Sequence, residues 1–278
     1  DGYYGGAREK RRIDKKTYYG WPTTWALVRK LQPNAVIFSD VGPDIRWVGN
    51  ERGFAAETSW ATYDPVGEDG GPASPGNVKA KDSTVGTRNG KLWLPAECDV
   101  SIRPGWFWHE KENAKVKTPR DLMDLYYKSV GRGGSFLLNI PPDRRGLLYE
   151  TDVASLKGYG NMLRGTFATN LAAKAKLTPS NVRGKNKAFA PEQMLDGNRT
   201  TYWATDDAVT TGSVEFDLRR DTTVNVIRIR EALPLGQRVE GIAVDQWKDG
   251  GWIPVAEAGS VGAARVIRTT EDITTSKV

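Results

Sequence analysis

The sequence predicts an α/β chain: the C-terminal part of a (β/α)8-like barrel over residues 1–167, followed by an all-β sandwich over residues 168–278. Three observations carry this. Up to residue 165, helical and strand-like stretches alternate around loops rich in Gly and Pro, the pattern of a parallel sheet with crossover helices. Beyond Ala168 the apolar runs are short and β-type, broken by turn residues roughly every eight to twelve positions, as in a sandwich. About three barrel strands are legible, whereas a closed eight-stranded barrel needs ~250 residues, so the first half of the barrel is expected to lie outside the chain.

The elements follow in order. Residues 1–6 read as a loop already in progress. Residues 17–31 have helical spacing, with Trp21, Trp25, Val28 and Leu31 on one face, and Pro33-Asn34 ends them. Residues 35–39 are an apolar run of buried-strand type, and 40–53 read as the loop leaving it. Residues 64–90, rich in Gly, Pro, Asp and Ser, form a long excursion that is either functional, in contact with an aglycone, or solvated disorder. Strand character returns at 92–102. In the next helix Thr118 is the cap, Pro119 the first position and Asp121 a first-turn acid, and Leu122, Leu125, Tyr126 and Val130 form the buried stripe. Gly131 and Gly133 stop it. A strand at 136–140 and a helix at 150–164 complete this part. In the second part, 170–183 is a linker or first strand, and 213–218, 224–229 and 241–247 are strands. The chain stops where another strand is expected, so both ends read as cut.

Composition removes several functions. No stretch of eighteen apolar residues exists to span a membrane, and no basic-apolar-small leader opens the chain, so a signal peptide is expected to be absent or removed. The single cysteine, Cys98, has no disulfide partner and reads as a small buried hydrophobe. One histidine, His109, is too few for a histidine zinc site. The net charge of +6, from 40 basic and 34 acidic residues, is scattered rather than gathered into a stripe, which argues against nucleic acid. Ten tryptophans suit sugar stacking as well as core packing.

The densest unusual stretch is Asp44-Ile45-Arg46-Trp47-Val48-Gly49-Asn50-Glu51, on the loop after a barrel strand, the face that carries active sites in this architecture. A carboxyl beside tryptophan and arginine suits proton donation to a glycosidic oxygen. The alternative is a surface ion pair of Glu51 with Arg46 or Arg52.

Residues 39–51 resemble the acid/base loop of glycoside hydrolase family 29, in its α-1,3/4-fucosidase branch. Ser101-Ile102-Arg103-Pro104-Gly105-Trp106-Phe107-Trp108-His109, Tyr127-Lys128-Ser129-Val130-Gly131 and the block at 138–146 resemble three further motifs of that branch, in the right order. The resemblance implies a retaining, exo-acting α-L-fucosidase with Glu51 as general acid/base and a second carboxyl ~5 Å away as nucleophile. The family's nucleophile is the aspartate of a Trp-Phe-Asp-Gly-Ala block, which this sequence lacks. It is expected upstream of residue 1, with Asp1 the nearest candidate although the residues after it do not match. The family's fucose-binding histidines are expected upstream too.

The resemblance further implies a secreted or periplasmic protein of bacterial origin with no required cofactor. Its partners would be a fucosylated oligosaccharide or glycan and the N-terminal half of the barrel. The candidate substrate-binding residues are Trp47, Trp106, Arg46, Trp108, His109 and Glu97. For most, a second reading stands. Trp106 is a sugar platform or packs on the following helix. His109 binds a hydroxyl or caps a turn. Glu97 and Asp99 touch substrate or hold Arg103 in an ion pair. A non-catalytic glycan-binding protein is the rival function.

Residues 195–204 resemble the signature of discoidin-like domains, which include coagulation-factor type C domains and family 32 carbohydrate-binding modules. Such domains can hold a structural calcium, for which Asp196 and Thr201 are the candidates; the alternative is a hydrogen-bonded turn. No exposed aromatic trio is evident in its loops, so buttressing of the barrel is favoured over glycan binding.

Overall fold

The computed structural model describes residues 17–278, together with the backbone pairing of β1 (Tyr3–Tyr4) with β2 (Arg11–Arg12). Asp1 lies outside the described residues. Helix α1 (Trp21–Leu31) starts four residues later than the spacing predicts. Gly20 takes a left-handed φ of 54° at its N-cap, and a proline follows in the first turn. Trp21 stacks on Trp25 at 6.5 Å, but none of the helix is buried, and Leu31 is 65% exposed.

Four parallel strands follow in sheet order: β3 (Phe38–Ser39), β4 (Ile45–Trp47), β7 (Ala96–Ser101) and β8 (Ser135–Asn139). This is one more than predicted, because β4 lies inside the expected loop at 40–53. Parallel neighbours usually need a long crossover, yet only residues 40–44 join β3 to β4. Asp44 closes that link. Its carboxylate accepts the Ile37 amide at 2.6 Å and pairs with Arg29 of α1. The Arg29 hydrogen bond, helped by the Ile37 amide, holds the Asp44 carboxyl below the usual carboxylate range.

Between β4 and β7 the chain folds rather than wanders, which removes the disorder reading of 64–90. β5 (Thr62–Tyr63) pairs antiparallel with β6 (Leu92–Trp93), and helix α2 (Ala80–Val85) lies between them. Tyr63, Val78 and Leu94 are buried together. The predicted strand at 92–102 is therefore two strands, β6 and β7.

Along β7, Ala96, Cys98 and Val100 are buried, while Glu97 and Asp99 stay partly open on the opposite face. Cys98 is fully buried with Val48, Ala55 and Ala96, as its sequence context predicts, and burial pushes its thiol up to about 12. Helix α3 (Pro119–Lys128) carries the anticipated cap in full, with a Thr118–Asp121 capping box and Pro119 in the first turn. Leu122 and Leu125 are buried as predicted and Met123 joins them, while Tyr126 and Val130 are only partly buried. Leu122 and Leu125 meet Val100 and Ile102, against which Phe136, Leu138 and Tyr159 pack. Each such buried aliphatic side chain contributes about 2 kcal/mol. Helix α4 (Glu150–Thr166) crosses back over α3.

The C-terminal part has two antiparallel sheets. One holds β9 (Lys176–Pro179), β10 (Val214–Ile229) and β13 (Arg265–Lys277) in the order β13-β10-β9; the other is the hairpin of β11 (Ile242–Lys248) and β12 (Gly251–Ala258). The two segments read as separate strands, 213–218 and 224–229, are one. Arg219 takes a φ of 70°, its amide bonds the Asp217 carboxylate at 2.8 Å, and the register shifts there while pairing continues.

Candidate active site

β4 ends at Trp47, and the four residues after it carry Glu51 out from the carboxyl end of the strand. The loop is tightly determined. Gly49, at φ 87°, lies so close to α2 that a Cβ there would sit 2.0 Å from the Ala80 carbonyl oxygen. The Asn50 side chain accepts the Arg52 amide and donates to the Phe54 carbonyl, each at 3.0 Å. Gly53, at φ 78°, is wedged against Val100, where a Cβ would meet a side-chain methyl at 2.8 Å. Glu51 thus stands exposed at the tip of a loop fixed on both sides.

The Trp106 indole N–H donates to Glu51 Oε2 at 2.9 Å. Trp106 lies on the loop after β7, 37% exposed, and faces Glu51 rather than the following helix. Its carbonyl accepts from Asn139 Nδ2 at 3.0 Å, and the same amide donates to Ser101 Oγ, which in turn bonds the Gly105 carbonyl. The ends of β7 and β8 therefore set the position of the indole. Neither arginine suggested as an ion-pair partner plays that part: Arg52 lies over the Phe54 ring at 4.6 Å, and Arg46 is committed elsewhere.

A second carboxylate belongs to the same face. Trp47 donates its indole N–H to Asp99 Oδ1 at 2.7 Å. Partial burial raises the Asp99 pKa above the usual carboxylate range; the Trp47 hydrogen bond opposes this, and the nearby Glu51 charge adds to it. Glu97 sits opposite Trp47 in the parallel register and accepts from Ser135 Oγ at 3.3 Å.

Two predicted roles are corrected. Arg46 is fully buried, and its guanidinium donates to the carbonyls of Ser83, Trp60 and Leu94, pinning the 60–94 excursion to the sheet. At 0% exposure, the side chain cannot reach a sugar. Arg103 is anchored not to Glu97 or Asp99 but to Asp152 of α4, at 3.0 Å, with both side chains fully buried. Trp108 packs on Tyr149, ring centroids 5.9 Å apart, and lies beside the Arg103 guanidinium. His109 caps the turn at 110–115 through its backbone carbonyl, which accepts the Glu112 amide, and its side chain takes no part in the cap. Trp108 and His109 also border a groove of about 280 Å³, with Phe107, Pro142 and Arg144.

The α-L-fucosidase family model matches residues 8–166, more than half of the chain. The chain belongs to the α-L-fucosidase family. The match ends at the last residue of α4, and a NedA-like, galactose-binding domain model matches residues 193–278. Alpha-L-fucosidase 1 of Arabidopsis thaliana is 38% identical over 258 residues, covering 92% of this chain and 50% of the relative. The chain spans about half the length of the curated relatives it matches. Among solved structures, SpGH29 superposes with a TM-score of 0.86 at 30% identity, covering all of this chain and 57% of that one. A Ruminococcus gnavus GH29 fucosidase in complex with fucose gives 0.81 at 30% identity, covering all of this chain and 55% of that one.

Three features of this fucosidase-family site are not legible as spacing: the Asn50 brace, the Asn139 clamp on Trp106 and the Trp47–Asp99 bond. Asn139 stands in the block at 138–146, to which the sequence assigns no side-chain role. Its signal would have been the pairing of Ser101 with Asn139 across β7 and β8. In the galactose-binding-like domain, Asp196 and Thr201 do meet: Thr201 Oγ1 donates to Asp196 Oδ2 at 2.6 Å, and Oδ1 accepts the Asn198 amide at 2.7 Å. Both carboxylate oxygens are engaged within the turn, the pattern of a hydrogen-bonded Asx turn. Among the described residues, no group of three or more acidic, His or Cys side chains could hold a metal ion.

Proposed function

We propose that the full-length protein is a retaining, exo-acting α-L-fucosidase that releases terminal α-1,3/4-linked fucose from oligosaccharides or glycans, with Glu51 as general acid/base. The observation that carries the reading is the Trp106–Glu51 hydrogen bond at the carboxyl end of β4, where a barrel enzyme keeps its chemistry. In the first step Glu51 gives its proton to the departing glycosidic oxygen while a second carboxylate attacks the anomeric carbon. In the second, Glu51 takes a proton from water, which displaces that carboxylate and frees fucose. The attacking carboxylate is supplied from outside the described residues. Trp106 and Trp47 wall the cleft, Asp99 fixes the Trp47 ring, and Glu97 lines the same face. Action on extracellular glycans, by a secreted or periplasmic protein, accords with this substrate class.

The test is hydrolysis of a Lewis-type oligosaccharide by the full-length protein, with the anomer of the released fucose followed by NMR. Retained α-fucose as the first product supports the reading, and inverted β-fucose as the first product contradicts it.

A further inference from the structure

We propose that the C-terminal sandwich positions the acid/base loop, acting through residues 55–61, the strap that follows Glu51. The inference rests on the reading of Glu51 given above. Contacts from Arg265, Ser260, Gln237 and Gly259 of the sandwich converge on this strap.

Arg265, 5% exposed at the start of β13, donates to the Glu57 carbonyl and to Glu57 Oε2, the latter at 2.9 Å. Ser260, 2% exposed, binds Ser59 in both directions: its Oγ accepts the Ser59 amide at 3.0 Å and donates to the Ser59 carbonyl at 2.7 Å. Gln237 also both accepts and donates, accepting the Ala61 amide and donating to the Ser59 carbonyl, each at 2.8 Å. Gly259 presses so close that a Cβ would lie 2.1 Å from Thr58 Oγ1.

The barrel holds the same strap from the other side. Arg132 donates to the Ala55 carbonyl at 2.7 Å and pairs with Glu57. The Ala55 amide bonds the Lys128 carbonyl at 3.0 Å, and the Val266 amide of β13 bonds the Gly131 carbonyl at 2.9 Å. Glu57 thus neutralises one guanidinium from each domain. The fixed strap continues through Phe54, whose carbonyl accepts from Asn50, to the wedged Gly53 and so to Glu51.

Arg265 and Ser260 are buried and committed to the strap, so they are not available to a glycan. They fix the backbone leading to the proton donor, and a displacement of order 1 Å at such a group can cost ~100-fold in rate. Arg265, Ser260 and Gln237 are positioning residues in this account.

The test compares Arg265→Ala, Ser260→Ala and Gln237→Ala in the full-length protein on two substrates: a fucosylated oligosaccharide and an aryl fucoside with an activated phenol. Only the oligosaccharide needs its leaving oxygen protonated. The expected result is a ~10-fold fall in kcat/KM, which reports the first step, on the oligosaccharide. On the aryl fucoside the fall in kcat/KM should be less than about 2-fold, because the first step then needs no proton. If Arg265→Ala does not fold, Ser260→Ala and Gln237→Ala, which remove only hydrogen bonds, give the readout. Equal losses of kcat/KM on both substrates, or none on either, would overturn the proposal. Glu51→Gln is run in parallel. If it loses the oligosaccharide while the strap variants lose nothing, only this inference falls; if it behaves as wild type, the reading of Glu51 falls and this inference with it.

Discussion

The indole N–H of Trp106 lies 2.9 Å from the carboxylate of Glu51, a bond across 55 residues of sequence that joins the loops following β4 and β7. The donor fixes the orientation of an otherwise exposed carboxyl. Trp106→Phe keeps the ring and deletes the bond. A hydrogen bond to a charged group is worth about 1.5–3 kcal/mol, and part of it acts in the transition state. The expected loss in kcat/KM on an oligosaccharide is ~10-fold, or about 1.4 kcal/mol. Unchanged kinetics would show that the indole does not orient Glu51.

Arg46 is a foundation, not a ligand. Arg46→Met leaves the buried carbonyls of Ser83, Trp60 and Leu94 without their donor. Each unpaired buried acceptor costs about 1–3 kcal/mol, so a loss of roughly 3–5 kcal/mol is expected. Urea unfolding of the full-length protein measures it. A shift below about 1 kcal/mol would mean that water replaces the guanidinium.

Asp99 makes stability depend on pH. Its pKa is raised in the fold, chiefly by burial, so the folded state binds its proton more tightly than the unfolded chain does. That contribution is fully present below the ordinary carboxylate value and is lost as pH rises through the raised one. Asp99→Asn retains an acceptor for Trp47 and removes the titration. Relative to wild type, its urea midpoint should therefore be higher at pH 7 than at pH 3.5. A difference that is constant with pH would contradict the assignment.

Cys98 should be inert in the native state. It is fully buried, and its thiol is pushed up to about 12, so almost no thiolate exists at pH 8. A disulfide-exchange reagent should label it slowly when folded and promptly in denaturant. Fast native labelling would show that the β4–β7 layer opens locally.

The sequence resolves the elements whose signals are local. The Thr118–Asp121 box and Pro119 mark α3 because cap chemistry lies within four residues. Glu51 is legible for a different reason: it stands in a motif. β4 is not legible, because three residues show no periodicity and Arg46 in the middle reads as polar and exposed. It is buried only because three carbonyls from residues 60–94 converge on it. Likewise, the turn-like Arg219-Arg220-Asp221 is a kink within one long strand, a distinction made by pairing with β13 rather than by composition. Arg103 finds Asp152, 49 residues on, instead of the nearer Glu97 and Asp99. The contacts from Ser260 and Arg265 to the strap span about two hundred residues and leave no trace in any window.

The most direct measurement is turnover by Glu51→Ala in the full-length protein on a fucosylated oligosaccharide, with and without azide. The account predicts a loss in kcat/KM of ~100- to 10,000-fold on the oligosaccharide, a much smaller loss in kcat/KM on an activated aryl fucoside, and fucosyl azide formed when azide takes the place of water in the second step. Near-normal release of fucose from the oligosaccharide by this variant would contradict the account.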